Sequence, residues 1–418
     1  MAPRRRKKSS WPSPWPSLPP DIAGEVLLRM PSYADRICFA AACRSWRASA
    51  AMHREPPHLP CLVFGDGTFR GFPEGDRPFR LPAAAGFLGS CGQWLILKHD
   101  AGGGGGYSLA NPFSKAAAMA PPPLPSLSCV RAHHEPLLQV APERAVQEYD
   151  QIGLANVAAG EPEPRALSVS KLVVCPAGVV AAVIGGQEGR LGKIAVCRPG
   201  APAWSVSGHD QWRRIKDMAV HRGTLYALDH NEDLLAVSVA GGAPAVSGIA
   251  RAVTGAPPSF SGLRRLTLHY LVDVSGGAGG GGALLMVRRE VCRARPGQGR
   301  GIEERFTVFE ADFAASRWEE LRALGEGLAL LVGRWCSAAV RVPEERRRQS
   351  AGFIYFLEDG IVDQQNREYS LSAYDYNNGA GFRTYLLEPV MWRDGQDLPA
   401  TWLLPPKRER RSCRRNRC

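Results

Sequence analysis

Residues 221–239, HRGTLYALDHNEDLLAVSV, contain two short apolar runs, each preceded by residues that favour turns. The runs span residues 224–228 and 234–239, and Gly, Asp and Asn occupy the segments before and between them. Short β-prone runs bounded by such residues are typical of antiparallel strands joined by a tight turn. This stretch therefore predicts a β-hairpin.

The same alternation of short apolar runs and turn residues continues from residue 59 to residue 405. The chain has 418 residues with 45 Gly and 34 Pro, which suits many turns between strands. Pairs of runs begin near residues 94, 179, 224, 284 and 353, a loose spacing compatible with propeller blades of about 40–50 residues. The predicted strands are residues 61–64, 94–98, 171–175, 179–184, 193–197, 224–228, 234–239, 284–287, 306–309, 353–357 and 371–376.

Residues 15–54 differ from the rest and predict three short helices. Asp21 is expected to cap the first helix and Pro31 to end it. Ser32 and Asp35 predict a capping box for the second helix. The apolar residues of the first helix recur at helical spacing; they are Ile22, Val26, Leu27 and Met30.

The net charge of +12 is concentrated at the two ends of the chain. Residues 4–8 are all basic, and residues 407–417 are mostly basic, so the part between them is close to neutral. A DNA-reading domain would carry a basic stripe on its ordered surface, so a nucleic-acid partner is not expected. Residues 1–14 and 406–418 are predicted to be disordered basic tails, either nuclear-import signals or simply solvated ends.

Cysteine usage and hydropathy favour a soluble protein of the nucleus or the cytoplasm. The eleven cysteines form no CxxC pair, and no apolar signal segment stands near residue 1. No run reaches the ~18 apolar residues that a membrane span needs. The thiols are therefore expected to be reduced, and no membrane partner is expected.

Residues 15–47, WPSLPPDIAGEVLLRMPSYADRICFAAACRSWR, resemble an F-box. The landmarks, in the order of the family, are LPPDI at 18–22, MP at 30–31, DR at 35–36 and CRSWR at 43–47. The resemblance implies docking onto the Skp-type adaptor of a cullin–RING ubiquitin ligase. A helical unit of about 40 residues buries little surface by itself, which also favours a partner.

The resemblance implies which side chains would face the adaptor and which would pack internally. Phe39 and Trp46 are expected to pack inside the helical unit. The alternative is that all the apolar side chains belong to an internal core. The predicted adaptor-binding residues are Leu18, Pro19, Ile22, Val26, Leu27, Met30 and Pro31.

Residues 59–405 resemble the KIB-type β-propeller of many plant F-box proteins. Residues 130–165 fit that pattern poorly. The sequence motifs of WD blades and of regular kelch blades are missing. The matching phrases are NPFSKAA (111–117), AVCRPGAPAW (195–204), IKDMAVHRGTLYALDHNEDLLAV (215–237), ALLMVRR (283–289) and FTVFEADFAASRWEEL (306–321). The predicted fold is thus α+β and multidomain: a three-helix F-box followed by a mainly-β propeller.

No catalytic residue, metal site or cofactor is predicted. The glycine runs 102–106 and 276–282 lack the ending of a phosphate-binding loop and predict loop insertions. The cluster 133–135, His-His-Glu, is interpreted as an exposed polar patch and not as a metal site. The acidic residues around His230 could resemble a general acid–base group, but a turn is favoured; they are Asp229, Glu232 and Asp233.

These observations favour a non-catalytic subunit of an SCF-type ubiquitin ligase. The helices would bind the Skp-type adaptor, and through it the cullin, while the β domain would bind a protein target of unknown identity. The alternatives are an F-box-like nuclear regulatory scaffold outside the ligase and a propeller enzyme, for which the sequence offers no site. Ring closure is expected to bring residues 61–64 or 94–98 against residues 371–376.

Overall fold

The computed structural model describes the three N-terminal helices and most of the β-rich part of the chain. The described residues are 15, 18–30, 33–52, 60–71, 78–81, 84–99, 106–112, 123–127, 130–132, 168–185, 192–208, 213–240, 242, 244–255, 265–274, 282–293, 302–342, 344, 347–357, 370–379, 382–386 and 400–404. Both basic tails and the cluster 133–135 lie outside them.

Three short helices open the fold: α1 (Pro20–Leu28), α2 (Tyr33–Ala42) and α3 (Arg44–Met52). The prediction that Asp21 caps α1 is wrong, because Pro19 is the N-cap residue and no side chain caps this end. Pro20 occupies the first helical position, where a proline lacks only an N–H that would be unpaired anyway. Asp21 instead lies in the first turn, where a carboxylate is favoured by the helix dipole.

The three helices enclose a small apolar core. Ala23, Leu27 and Phe39 are buried in it, and the Trp46 ring stacks on the Phe39 ring with centroids 4.3 Å apart. The Trp46 indole N–H donates a hydrogen bond of 2.8 Å to the carbonyl oxygen of Trp15. The prediction that Phe39 and Trp46 pack inside the helical unit is therefore confirmed.

The remaining described chain forms six β-sheets, which we number as blades 1 to 6. Blade 1 has the strand order β25-β1-β2-β3, blade 2 has β4-β5-β6, and blade 3 has β7-β11-β10-β9-β8. Their strands are β1 (Cys61–Val63), β2 (Thr68–Gly71), β3 (Phe79–Arg80), β4 (Phe87–Cys91), β5 (Trp94–His99), β6 (Gly106–Ala110), β7 (Val130–Ala132), β8 (Ser168–Val174), β9 (Val180–Gly185), β10 (Gly192–Cys197), β11 (Trp204–Val206) and β25 (Thr401–Leu403).

Blades 4 and 5 are sequential four-stranded meanders, β12-β13-β14-β15 and β16-β17-β18-β19. Blade 6 has the order β21-β20-β22-β23-β24, and a short helix, α4 (Arg347–Ser350), precedes β22. Their strands are β12 (Ile215–His221), β13 (Thr224–Asp229), β14 (Leu234–Val239), β15 (Val246–Val253), β16 (Arg265–Val274), β17 (Ala283–Arg293), β18 (Ile302–Asp312), β19 (Arg317–Leu321), β20 (Leu328–Val332), β21 (Ala338–Arg341), β22 (Phe353–Leu357), β23 (Ser370–Asp375) and β24 (Phe382–Leu386).

An apolar cluster lies between every two neighbouring blades, and together the six clusters close a ring. In the cluster between blades 6 and 1, Leu62 and Trp402 pack with Phe353. A twisted sheet buries its faces only against its neighbours in this arrangement, so each blade stabilises the next. The β domain is thus a six-bladed propeller, as the sequence predicted in outline.

The ring is closed by strand pairing between the two ends of the β domain. β25 pairs antiparallel with β1, with Leu62 opposite Trp402. The predicted closing partner, residues 371–376, is wrong, because that segment forms β23 of blade 6. Leu371 nevertheless shares an apolar cluster with Leu62, so the two regions lie in neighbouring blades.

The hairpin of residues 221–239 is confirmed: β13 and β14 pair antiparallel, with Leu225 opposite Val237. Of the poorly fitting region 130–165, Val130–Ala132 forms β7, which pairs parallel with β11. The rest of that region lies outside the described residues.

Candidate functional site

The first candidate surface is the outer face of α1. Ile22 and Val26 are 50% and 37% exposed, and they lie four residues apart on one side of the helix. The neighbouring Ala23 and Leu27 point the other way, since both are buried in the core of the three helices. α1 therefore uses one apolar face internally and leaves a second one in contact with solvent.

The other predicted adaptor-binding residues are distributed around α1. Pro19 is exposed, whereas Leu18 and Met30 are half-buried against the helical core. Leu27 is only 4% exposed, and Pro31 lies outside the described residues. The part of the predicted set that is accessible for docking is thus Pro19, Ile22 and Val26.

Arg36, from the DR landmark, holds α1 against α2. Its Nε donates a hydrogen bond of 2.8 Å to the carbonyl oxygen of Met30. Met30 stands two residues after the end of α1, so this bond ties the chain that leaves α1 to α2. Arg36 therefore helps to fix the arrangement of α1 and α2 in the helical unit.

The second candidate surface is a cavity on the axis of the propeller. Its volume is about 460 Å³, and all six blades contribute to its wall. Four inner strands, β4, β8, β12 and β16, line it with their C-terminal halves, so the cavity lies toward the face where those strands end. Such a volume is in the range of small-molecule sites.

A buried ion pair crosses the wall of this cavity from blade 3 to blade 4. The ammonium of Lys171 is 2.6 Å from Asp217 Oδ1 and 3.2 Å from the carbonyl oxygen of Arg334. Asp217 also accepts backbone hydrogen bonds from Met218 at 2.8 Å and from Leu271 at 2.7 Å. One carboxylate thereby links three blades, and its charge is compensated where water is excluded.

Two further charged groups line the cavity. The Asp273 carboxylate accepts a hydrogen bond from His221, whose Nδ1 lies 2.8 Å from its Oδ1. Arg341, on β21, is exposed and makes no ion pair or hydrogen bond with the described part of the chain. The cavity wall thus combines apolar side chains with a few charged groups.

Burial keeps several thiols protonated. Cys91 and Cys336 line the cavity, and burial raises the pKa of Cys91 to about 12 and that of Cys336 above its ordinary value. Burial also raises the pKa of Cys197 to about 12. At Cys43, between α2 and α3, the hydrogen bond with the Ser45 side chain instead lowers the pKa of the thiol.

We expect thiol alkylation of the folded protein to discriminate between these cysteines. The thiolate is the reactive form, so Cys43 should be labelled at least about a hundredfold faster than Cys197 or Cys336 at pH 8. Mass spectrometry of peptides after brief iodoacetamide treatment measures the ratio. Labelling in denaturant is the control and should remove the difference, whereas equal rates in the folded protein would contradict the buried positions.

The acidic residues around His230 form a turn between β13 and β14, as the sequence favoured. Asp229 Oδ1 accepts the backbone N–H groups of Asn231 and Asp233, at 2.8 and 3.0 Å. Asp233 Oδ1 accepts the N–H of Gly255 at 2.7 Å. These carboxylates satisfy backbone donors, which is the usual task of Asp in turns.

Glu232, in the same turn, reaches from blade 4 into blade 5. His269 Nε2 lies 2.6 Å from its Oε1, Arg288 pairs with both of its oxygens, and the Trp318 indole donates to its carbonyl oxygen at 2.8 Å. Burial alone would raise the pKa of Glu232, but the hydrogen bonds from His269 and Arg288 outweigh it, so the pKa is lowered. Sequence reasoning missed this contact, because its partners lie 37 and 56 residues away.

Replacing Glu232 by Gln is expected to destabilise the junction of blades 4 and 5 by about 1–3 kcal/mol, since charge-assisted hydrogen bonds to Arg288 are lost. A carboxyl with a lowered folded-state pKa stabilises the fold above its ordinary value of 4.5 and loses that effect as the pH falls through the folded value. The difference in melting temperature should therefore be present at pH 7 and shrink below about pH 4.5. Glu319→Gln, at an exposed site, is the control; a pH-independent difference would contradict the ionic contact.

Among the described residues, no cluster of three or more His, Cys, Asp and Glu side chains is arranged to hold a metal ion. Nor does that part of the chain contain a helix with the length and apolar character needed to cross a bilayer.

The ring of six blades, closed by a C-terminal strand and preceded by three helices, defines a β-propeller protein with a helical N-terminal unit. The family described as KIB1-4 beta-propeller matches residues 71–376. The chain belongs to the KIB1-4 β-propeller family, which confirms the KIB-type resemblance of the β domain.

Comparison with curated proteins finds no match. Among solved structures, the chain has some similarity to a fructofuranosidase from Schwanniomyces occidentalis complexed with fructose, at 9% sequence identity and a TM-score of 0.22. The alignment covers 76% of this chain and 60% of that chain.

Proposed function

We propose that the protein is an F-box substrate-recognition subunit of an SCF-type cullin–RING ubiquitin ligase. The observation that carries the proposal is the exposed apolar face of α1: Ile22 and Val26 are accessible although the helical core is already formed without them. Apolar side chains held side by side on a helix suit a helix-in-groove contact with a Skp-type adaptor. The F-box landmarks at 18–22, 30–31, 35–36 and 43–47 stand in the same segment of the sequence as this helix.

The propeller is the proposed site of target recognition. It is the larger folded unit, and no residue of the three helices lines its axial cavity. Propellers offer a rigid platform of this kind. The target is a protein whose identity the residues do not reveal, and the basic ends of the chain suit a protein that acts in the nucleus, the cytoplasm or both.

In this role the chain performs no bond chemistry itself. It holds a target near the ubiquitin-loaded enzyme, and the linkage raises the effective concentration of the target's lysines there. The two modules therefore need only to bind their partners at the same time.

Co-expression with a Skp-type adaptor tests the proposal. The expected result is a 1:1 complex of the full chain and the adaptor that stays together on size-exclusion chromatography, and that recruits the cullin when it is added. Absence of any complex would overturn the ligase function. Binding to nucleic acid that weakens steeply with salt, without adaptor binding, would support the nuclear scaffold instead.

A further inference from the structure

The wall of the axial cavity contains apolar side chains that are still partly accessible, although they lie inside the folded domain. Val174, Val220, Val274 and Ala339 line it, and each is only half-buried. They come from blades 3, 4, 5 and 6, so the apolar wall surrounds the axis on several sides. A ligand with an apolar body would cover this wall and gain affinity by removing it from water.

The polar groups of the cavity have an excess of hydrogen-bond donors. Asp217, behind the wall, accepts from Lys171 and two backbone N–H groups, and Asp273, in the wall, is paired with His221. Lys171, in contrast, carries three N–H donors and contacts two acceptors among the described residues. Lys171 is only 7% exposed, and the cavity that it lines is where a further acceptor could reach its ammonium group.

Arg341 contributes further hydrogen-bond donors to the cavity through its guanidinium group. It lines the same cavity, and its five N–H donors have no acceptor in the described part of the chain. The carboxylate that lines the cavity, Asp273, is paired with His221, whereas Arg341 has no acceptor in the described part of the chain and Lys171 has two for its three donors. An anionic acceptor on the ligand would complete the site, and a carboxylate can accept two parallel hydrogen bonds from the fork of an arginine.

We propose that the axial cavity binds an apolar carboxylate, with the acidic group held by Arg341 and Lys171 and the apolar body packed against the half-buried wall. The cavity of about 460 Å³ accommodates a small organic acid or the last residue or two of a polypeptide with a free carboxyl terminus. Both sources present the same chemistry. This inference does not depend on the ligase function, because it uses no residue of the helices.

Two series of probes test the site on the purified full chain by calorimetry. The first is the straight-chain carboxylates from pentanoate to decanoate, each paired with its primary amide. The second is a pool of peptides with apolar C-terminal residues, as free acids and as C-terminal amides. We expect the acids of at least one series to bind about 10- to 100-fold more tightly than the amides, since a charge-assisted hydrogen bond is lost.

If the first series binds, its affinity should also rise about fourfold with each methylene until the cavity is filled. Binding by the fatty acids alone would identify a small acid as the ligand. Binding by the peptide acids alone would identify a chain terminus.

Two variants and a control locate the binding. Arg341→Gln is expected to lower the affinity for the carboxylate probes about 10- to 100-fold. The melting temperature should stay unchanged, because Arg341 is exposed. Ala219→Leu fills part of the cavity and should weaken acids and amides alike. Arg322→Gln, an exposed arginine that is not part of the cavity wall, should bind as the wild type does.

The proposal is overturned if no acid of either series binds up to about 1 mM. It is equally overturned if amides bind as tightly as acids, or if the Arg341 variant retains wild-type affinity. None of these results depends on the adaptor, so a failure here is distinct from a failure of the ligase function.

Discussion

A chain that ends at Pro399 is expected to be insoluble or rapidly degraded, whereas a chain that ends at Leu404 is expected to fold. The two differ by five residues, which include all of β25. Because β25 completes blade 1 by pairing with β1, its loss opens the ring between blades 1 and 6. An open ring exposes strand edges, and these are templates for aggregation.

The contacts of β25 explain why so short a strand matters. Trp402 and Leu403 are fully buried, and the Trp402 indole donates a hydrogen bond of 3.2 Å to the carbonyl oxygen of Val332 in blade 6. On the other side, the Ser90 hydroxyl of blade 2 donates a hydrogen bond of 2.6 Å to the Trp402 carbonyl oxygen. The same hydroxyl forms a second hydrogen bond of 2.6 Å with the Thr401 hydroxyl. One strand thus holds three blades together.

A single substitution in β25 measures the contribution of this strand to stability in a protein that still folds. Trp402→Ala should destabilise the propeller by about 3–5 kcal/mol, the usual cost of removing a buried tryptophan. Denaturant melts followed by circular dichroism give this value. A soluble, compact chain ending at Pro399, or a Trp402 variant as stable as the wild type, would contradict closure by β25.

Changing Ile22 and Val26 together to Asp is expected to lower the affinity for a Skp-type adaptor by about 10²–10³. Both side chains are exposed, so the folded chain tolerates the carboxylates in water. In the complex they would be buried without partners, and burying an unpaired carboxylate costs several kcal/mol. Surface plasmon resonance with immobilised adaptor measures the loss.

Leu266→Asp provides the matched control for this double variant. Leu266 is 44% exposed on β16 of the propeller, so the change is of the same kind at a site away from the helices. The control should bind the adaptor as the wild type does, and both variants should keep the wild-type melting temperature within a few degrees. Wild-type affinity in the double variant would show that α1 is not the docking surface.

The sequence predicts individual hairpins well, because local patterns determine them. The segment 221–239 has its apolar runs, its turn residues and its pairing partner within one short stretch. The same holds for the helical unit, in which Trp46 and Phe39 lie seven residues apart and stack. The sequence places the N-cap of α1 at Asp21, two residues after the observed N-cap Pro19, because both Asp21 and Pro20 are typical of helix starts and the helix begins at the proline.

Contacts between blades could not be predicted, because they join residues that are distant in sequence. β25 is the three-residue run TWL, which carries no periodic signal, and its partner β1 stands at the other end of the domain. Likewise, Asp229 and Glu232 stand in one acidic turn, yet Asp229 binds backbone groups within that turn while Glu232 binds His269 and Arg288 of the next blade. Only the packed ring distinguishes the two roles.

We propose a division of labour, in which α1 binds the ligase and the propeller is left free for a target. Hydrogen–deuterium exchange of the full chain, with and without a saturating Skp-type adaptor, tests it most directly. We predict that the adaptor slows exchange in the helical segment 18–52 and leaves the strands around the axial cavity, β8, β12 and β16, unchanged. Protection of the propeller strands without protection of α1 would contradict this account.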